Sequence, residues 1–100
     1  MNESDENSDR LRDQDWYVYI VECRTKDLYV GVARDVEKRI QLHNQGRACR
    51  YTQFRRPVVL KYTEDYHSYT EARKRERQIK KYSRVKKKAL MKQVKTDLSP

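Results

Sequence analysis

The chain has 100 residues, 36% hydrophobic and 39% charged, with a formal net charge of +9. That length suits one small domain with a modest core, and no apolar run approaches the roughly 20 residues a membrane helix needs. No signal peptide is expected from the acidic N-terminus, and the two cysteines, Cys23 and Cys49, are too few for a disulfide scaffold and form no zinc pattern, so they read as free thiols in a reducing cytoplasm.

Residues 1–15 hold six acids against Arg10 and Arg12, a net of −4. The stretch reads as a disordered, solubilising acidic tail. The remainder therefore carries +13, which is the total of +9 less −4. That excess points to a polyanionic partner, most simply nucleic acid. A domain is expected over 16–95.

Trp16 to Cys23 reads as the first strand. Trp16, Val18 and Ile20 fall on one face, with Tyr17, Tyr19, Val21 and Cys23 on the other. Both faces are largely apolar, so the strand should be central and covered on both sides. Arg24-Thr25-Lys26-Asp27 has hairpin-loop length. Leu28 to Val32 follows as an antiparallel strand, and the hairpin can bring Tyr19 and Tyr29 to one side of the sheet.

A helix is expected from Asp35 to Gln45, with Asp35 as N-cap, Gly46 closing the far end, and Val36 and Ile40 facing the sheet. Arg39 and His43 lie four residues apart on one helix face. Beside a strand containing Tyr29 and Gly31 they can grip a phosphate; the same spacing also suits an amphipathic helix with both side chains solvated. Gly46 to Arg56 reads as a long basic connection. Arg47, Arg50, Arg55 and Arg56 alternate there with Tyr51 and Phe54, a pattern that suits phosphate contacts and base stacking, or a plain exposed loop.

Pro57 precedes a third strand, Val58 to Tyr62. Ser68 to Glu71 has the form of a capping box, and the helix it starts is expected to run to about Tyr82 on a stripe of Ala72 and Ile79. Glu76 falls on that stripe. A carboxylate on a packing face needs a cation, either an arginine or a metal ion; ordinary pairing with Lys80 or an arginine neighbour accounts for it as well. Ser83 can cap a last helix to about Val94, with Val85, Ala89, Leu90 and Val94 inward, leaving 96–100 to fray. Residues 71–95 hold twelve basic side chains, Lys80 and Lys81 among them, against two acids, a strong electrostatic footprint.

Together, Tyr17-Val18-Tyr19, Tyr29-Val30-Gly31, Arg39, His43 and Glu76 resemble the GIY-YIG nuclease family, over about residues 16–91. Tyr17-Val18-Tyr19 stands where the family has its first tripeptide, and Tyr29-Val30-Gly31 stands where it has its second. Arg50-Tyr51-Thr52 and Arg55-Arg56-Pro57-Val58 look like its small single-domain bacterial branch, which is related to the N-terminal nuclease module of the bacterial excision-repair endonuclease. Tyr17 stands in place of the name-giving glycine. Arg34 follows the second tripeptide where hydroxylated residues are common, and is expected to supply a phosphate contact in their stead.

The resemblance implies an α/β fold of the α+β kind, a small central three-stranded antiparallel sheet flanked by helices. It implies an endonuclease that hydrolyses phosphodiester bonds in nucleic acid, DNA ahead of RNA, in repair, recombination or processing. Glu76 would hold a single Mg²⁺ or Mn²⁺, Arg39 the scissile phosphate, Tyr19 or Tyr29 would take the proton from water, and His43 would orient that tyrosine or relay the proton. Gly31, Arg34, Arg47, Arg50, Tyr51, Arg55, Arg56, Lys80 and Lys81 are the expected nucleic-acid contacts. No small-molecule cofactor and no membrane partner are expected, and oligomeric state is open. The alternative is a non-catalytic DNA- or RNA-binding module using the same basic surface.

Overall fold

The structure, a computed structural model, describes residues 16–98, with side chains described through Lys92. The expected acidic tail, residues 1–15, lies outside the described residues, as do 99–100. The elements run β1 (Trp16–Cys23), β2 (Leu28–Ala33), α1 (Val36–Asn44), α2 (Arg50–Gln53), β3 (Val58–Tyr66), α3 (Tyr69–Lys80) and α4 (Arg84–Leu98).

The strands form one antiparallel sheet in the order β2-β1-β3. The central position of β1 follows from its two apolar faces. Val18 and Ile20 join Val30, Tyr62, Ala72 and Ile79 on the side covered by α3 and α4. Tyr19, Val21 and Cys23 join Ala33 and Val58 on the side where Val36 and Ile40 of α1 pack. Val58 and Tyr62 have the same parity in β3 yet serve opposite clusters. The register supplies the reason: Tyr62 opposes Ile20 while Leu60 opposes Val21, so Lys61 is an extra residue. Such a bulge flips the faces beyond it.

The helix ends are where local chemistry puts them. Asp35 Oδ1 accepts from Lys38 N at 3.0 Å. At the other end Gly46 takes φ +77; its N–H bonds His43 O and the Arg47 N–H bonds Leu42 O, a left-handed closure. Beyond it, Asn44 Oδ1 accepts from Val58 N (2.6 Å) and Asn44 Nδ2 donates to Val58 O (3.2 Å), tying α1 to the start of β3. Ser68 Oγ and Ser83 Oγ accept from Glu71 N and Lys86 N, capping α3 and α4.

Four expectations need correction. The basic connection is not all loop, because it contains the one-turn helix α2. The third strand continues past Tyr62 to Tyr66. Thr63-Glu64-Asp65 continue it because the Glu64 carboxylate has partners on its own side: the Tyr62 and Tyr66 hydroxyls and, through two bonds of 2.9 Å, Arg75 of α3. Helix α4 extends to Leu98, four residues beyond the end expected near Val94. Its inward residues are Leu90 and Met91; Val85 is 79% exposed and Ala89 is exposed. The side chain of Val94 lies outside the described ones.

Candidate active site

The edge strand β2 is where the two faces of the sheet meet. Tyr19 of β1 stands directly opposite Gly31 of β2. A Cβ built on Gly31 would lie 2.5 Å from the Tyr19 Oη and 2.6 Å from Cζ. The missing side chain therefore makes the slot through which the Tyr19 phenol reaches the edge. There it lines a cavity of about 210 Å³ with Tyr29, Gly31 and Val32 of β2, Arg39 of α1, and Tyr69, Arg73 and Glu76 of α3. Four separate elements thus bring three phenols, two guanidiniums and a carboxylate into one small polar pocket.

His43 is not in that lining. It is buried behind it, 1% exposed, with Nε2 2.8 Å from Tyr19 Oη and Nδ1 2.7 Å from Thr52 Oγ1. Its ring packs edge-on against both Tyr19 and Tyr29. Burial, helped by the positive charge of Arg39, holds the His43 pKa below its ordinary 6.5, so the imidazole is neutral. Burial pushes the Tyr19 hydroxyl up to about 12, with the Arg39 guanidinium pulling the other way. Burial also raises Tyr29, reinforced by the Cys49 thiol beside it. Neither phenol is ionised at neutral pH. Tyr19 can still act as a base, because it has an acceptor, His43, to which its own proton can pass.

Glu76 is 6% exposed. Its Oε1 pairs with Arg73 Nη1 at 2.6 Å and its Oε2 with Lys80 Nζ at 3.0 Å. The helical pairing anticipated from spacing is therefore present, and the carboxylate still faces the pocket. A carboxylate offers about four acceptor positions, so two cation contacts do not exhaust it. Among the described residues there is no group of three or more His, Cys, Asp or Glu. The donor set fits a hard cation that keeps most of its waters and takes one protein oxygen, as Mg²⁺ does; it does not fit a two-metal site.

The other expected contacts divide. Arg34 lies over the Trp16 ring, 4.9 Å from its centroid, beside a separate hollow at the start of α1. Arg55 bonds Asp27 (3.2 Å) and Tyr51 O (2.6 Å) and lies over the Tyr51 ring. Arg56 donates to Gln53 O and lies beneath Gly46. Gly31 makes room for Tyr19 and lines the pocket. Tyr51 stacks on Tyr29, centroids 5.7 Å apart, which puts α2 at the lip of the pocket. Lys80 reaches both Glu76 and the Tyr29 ring. Arg47 donates to Gln45 Oε1 at 3.4 Å. Arg50 is exposed, and Lys81 lines a groove on the far side of α3 with Lys74, Arg77 and Tyr82.

Sequence reasoning missed Tyr69, Arg73 and Thr52 as site residues, though it anticipated an arginine neighbour paired with Glu76. The first two stand seven and three residues before Glu76, so helical periodicity could have found them. Thr52, a fully buried hydroxyl, falls in the Arg50-Tyr51-Thr52 run of the basic connection, but nothing in that run marks the hydroxyl as buried.

A family model described as the GIY-YIG catalytic domain matches residues 15–89. A UPF0213 protein of Staphylococcus saprophyticus is 52% identical over 71 residues, covering 71% of this chain and 87% of the relative. A UPF0213 protein of Staphylococcus aureus is 49% identical over 77 residues, covering 77% and 94%. The solution NMR structure of the UPF0213 protein BH0048 from Bacillus halodurans superposes with a TM-score of 0.50 at 39% identity, over 77% of this chain and 82% of that one. With the matched domain spanning β1 to α4 and every element that lines the pocket, this chain belongs to the GIY-YIG family.

Proposed function

We propose that the protein is a metal-dependent endonuclease that hydrolyses phosphodiester bonds in DNA during repair, recombination or processing, in a reducing cytoplasm. The observation that carries this reading is the convergence of Tyr19, Tyr29, Arg39 and Glu76 on one pocket. Hydrolysis of a phosphodiester needs charge neutralisation at the phosphoryl oxygens, an acceptor for the proton of the attacking water, and stabilisation of the leaving oxygen. Arg39 binds the scissile phosphate and its developing charge. Tyr19, backed by His43, accepts the water proton. Tyr29 completes the wall and orients the water. Glu76 holds one Mg²⁺ or Mn²⁺, which when bound supplies charge at the leaving oxygen.

Outside the pocket, Arg47, Arg50, Lys80 and Lys81 carry phosphate contacts, and Phe54, 75% exposed, offers a face for a base. Arg55, Arg56 and Tyr51 shape the connection at the rim through the intrachain contacts given above, while Arg34 stands beside the separate hollow at the start of α1.

The test is cleavage of supercoiled plasmid and of fork and flap oligonucleotides with Mg²⁺ or Mn²⁺. Glu76→Gln and Arg39→Ala are each expected to lower kcat by roughly 10²–10³-fold, as loss of a transition-state donor does. Cutting that survives both changes would refute the site. A second reading, a binding module that does not cut, draws on the double pairing of Glu76 with Arg73 and Lys80. Salt-dependent binding with no cleavage of any of these substrates would favour it.

A further inference from the structure

We propose that Thr52 is a positioning residue: it holds His43 as the Nδ1–H tautomer, so that Nε2 accepts the Tyr19 hydroxyl proton and the Tyr19 lone pairs face the pocket, a role whose catalytic consequence rests on the nuclease reading above.

Thr52 is 0% exposed and sits in the single turn of α2. A buried hydroxyl is costly unless it is bonded, and valine would fill the same volume without one. The hydroxyl has two neighbours, His43 Nδ1 at 2.7 Å and Cys49 Sγ at 3.5 Å. Its single hydrogen can go to one of them. Given to the sulfur, it leaves an oxygen lone pair to accept from His43 Nδ1–H. The neutral ring then has Nε2 free as an acceptor, and Tyr19 is 2.8 Å away. Given instead to Nδ1, it forces Nε2–H to donate to Tyr19, and the Tyr19 hydrogen must turn toward the pocket. Arg39 stands on that side, and its guanidinium offers donors only. The first arrangement satisfies every group from Cys49 through Thr52 and His43 to Tyr19 in one direction; the second aims an O–H at a cation.

In the favoured arrangement the proton balance closes. A pocket water gives its proton to the Tyr19 oxygen as Tyr19 passes its own to His43 Nε2. One O–H bond of water and the original Tyr19 O–H break, and a new Tyr19 O–H and a His43 N–H form. The hydroxide attacks phosphorus, and the P–O bond to the leaving oxygen breaks with its electron pair on that oxygen. His43 ends as an imidazolium, still donating from Nδ1 to Thr52.

The experiment is long-range ¹H–¹⁵N NMR of the histidine rings in the full chain, paired with kinetics of Thr52→Val and Thr52→Ser. The native chain is expected to show His43 protonated at Nδ1 and bare at Nε2. Thr52→Val is expected to move the ring toward the Nε2–H or a mixed state, and to lower kcat by about 10–100-fold at unchanged KM. That is a part of the roughly 10²–10⁴-fold that a positioned base supplies. Thr52→Ser should restore both signatures. A native ring carrying its proton on Nε2 would overturn the proposal, as would a Thr52→Val ring or kcat like the native one. Should Thr52→Val fail to fold, the native ring alone decides. A native chain that cuts nothing would sink the nuclease reading instead, while the ring nitrogens still judge Thr52.

Discussion

Gly31→Ala separates two opposing effects by sign. Gly31 is a strand residue without a positive φ, so on backbone grounds alone alanine should stabilise the strand by about 0.5–1 kcal/mol. Sterically the methyl group would sit 2.5, 2.6 and 3.0 Å from Oη, Cζ and Cε2 of Tyr19. These belong to a ring that is 1% exposed and bonded to His43 at 2.8 Å, so it cannot simply swing into solvent. Overpacking of this kind costs about 1–3 kcal/mol. The net expectation is a loss of about 1–2 kcal/mol, or roughly 5–15 °C in Tm for a domain of this size. A contact-relieving shift of the phenol by about 1 Å should also lower kcat by roughly 10²-fold. Urea unfolding and plasmid nicking are measured for Gly31→Ala, Tyr19→Leu and the double variant. In the Tyr19→Leu background the alanine should cost little or become stabilising, because the obstructing ring is gone. A Gly31→Ala protein as stable and active as the native chain, or a penalty that is the same in the Tyr19→Leu background, would show that Gly31 is not there to seat Tyr19.

Three further outcomes are expected. In the unfolded chain His43 takes up a proton near 6.5; in the fold its pKa is lower, so below that pH the unfolded state binds more protons. The stability contributed by neutral His43 is thus intact above about pH 6.5 and is lost as pH falls toward the folded value; urea midpoints of the native chain should drop in that window relative to His43→Gln. Arg75→Met should cost about 1.5–3 kcal/mol by leaving Glu64 without its bidentate partner, while the Mg²⁺ dependence of cleavage stays put, since Arg75 lies outside the pocket. Arg73→Gln removes a cation 2.6 Å from Glu76 Oε1, and should lower the half-saturating Mg²⁺ concentration a few-fold; an increase would argue that Arg73 supports the metal site rather than competing with it.

The readable parts of this chain were those governed by short periods and caps. The two faces of β1, the Asp35 and Gly46 boundaries of α1, and the Ser68 cap of α3 all follow from residues within a turn of one another. Glu76 could be singled out because an acid between Ala72 and Ile79 contradicts its own stripe. What could not be read depends on distant partners. The bulge at Lys61 reverses which face of β3 is apolar, so alternation alone misleads beyond it. One turn of helix at 50–53 is too short to show a period. Arg55 and Arg56 look like phosphate ligands in the bare sequence, which does not show their intrachain partners: Asp27 and Tyr51 O for Arg55, Gln53 O for Arg56. The connection is also held from outside: Arg24 donates from N to Arg55 O and from Nε to Arg56 O. Val85 and Ala89 fit a helical stripe, but that stripe faces away from the sheet, and Leu90 and Met91 make the contact instead.

The order in which the pocket's parts occur along the chain has a bearing on the cell that makes it. Tyr19, Tyr29 and Arg39 are all made by residue 39, but Glu76 arrives with α3, as do Tyr69 and Arg73, and that helix cannot dock until its own sequence has left the ribosome. On the proposed chemistry, a chain cut short before α3 has nothing with which to recruit the ion, and it lacks Ala72 and Ile79 of the core as well. Cleavage would then be a late reporter of finished folding, and products of interrupted translation would not cut.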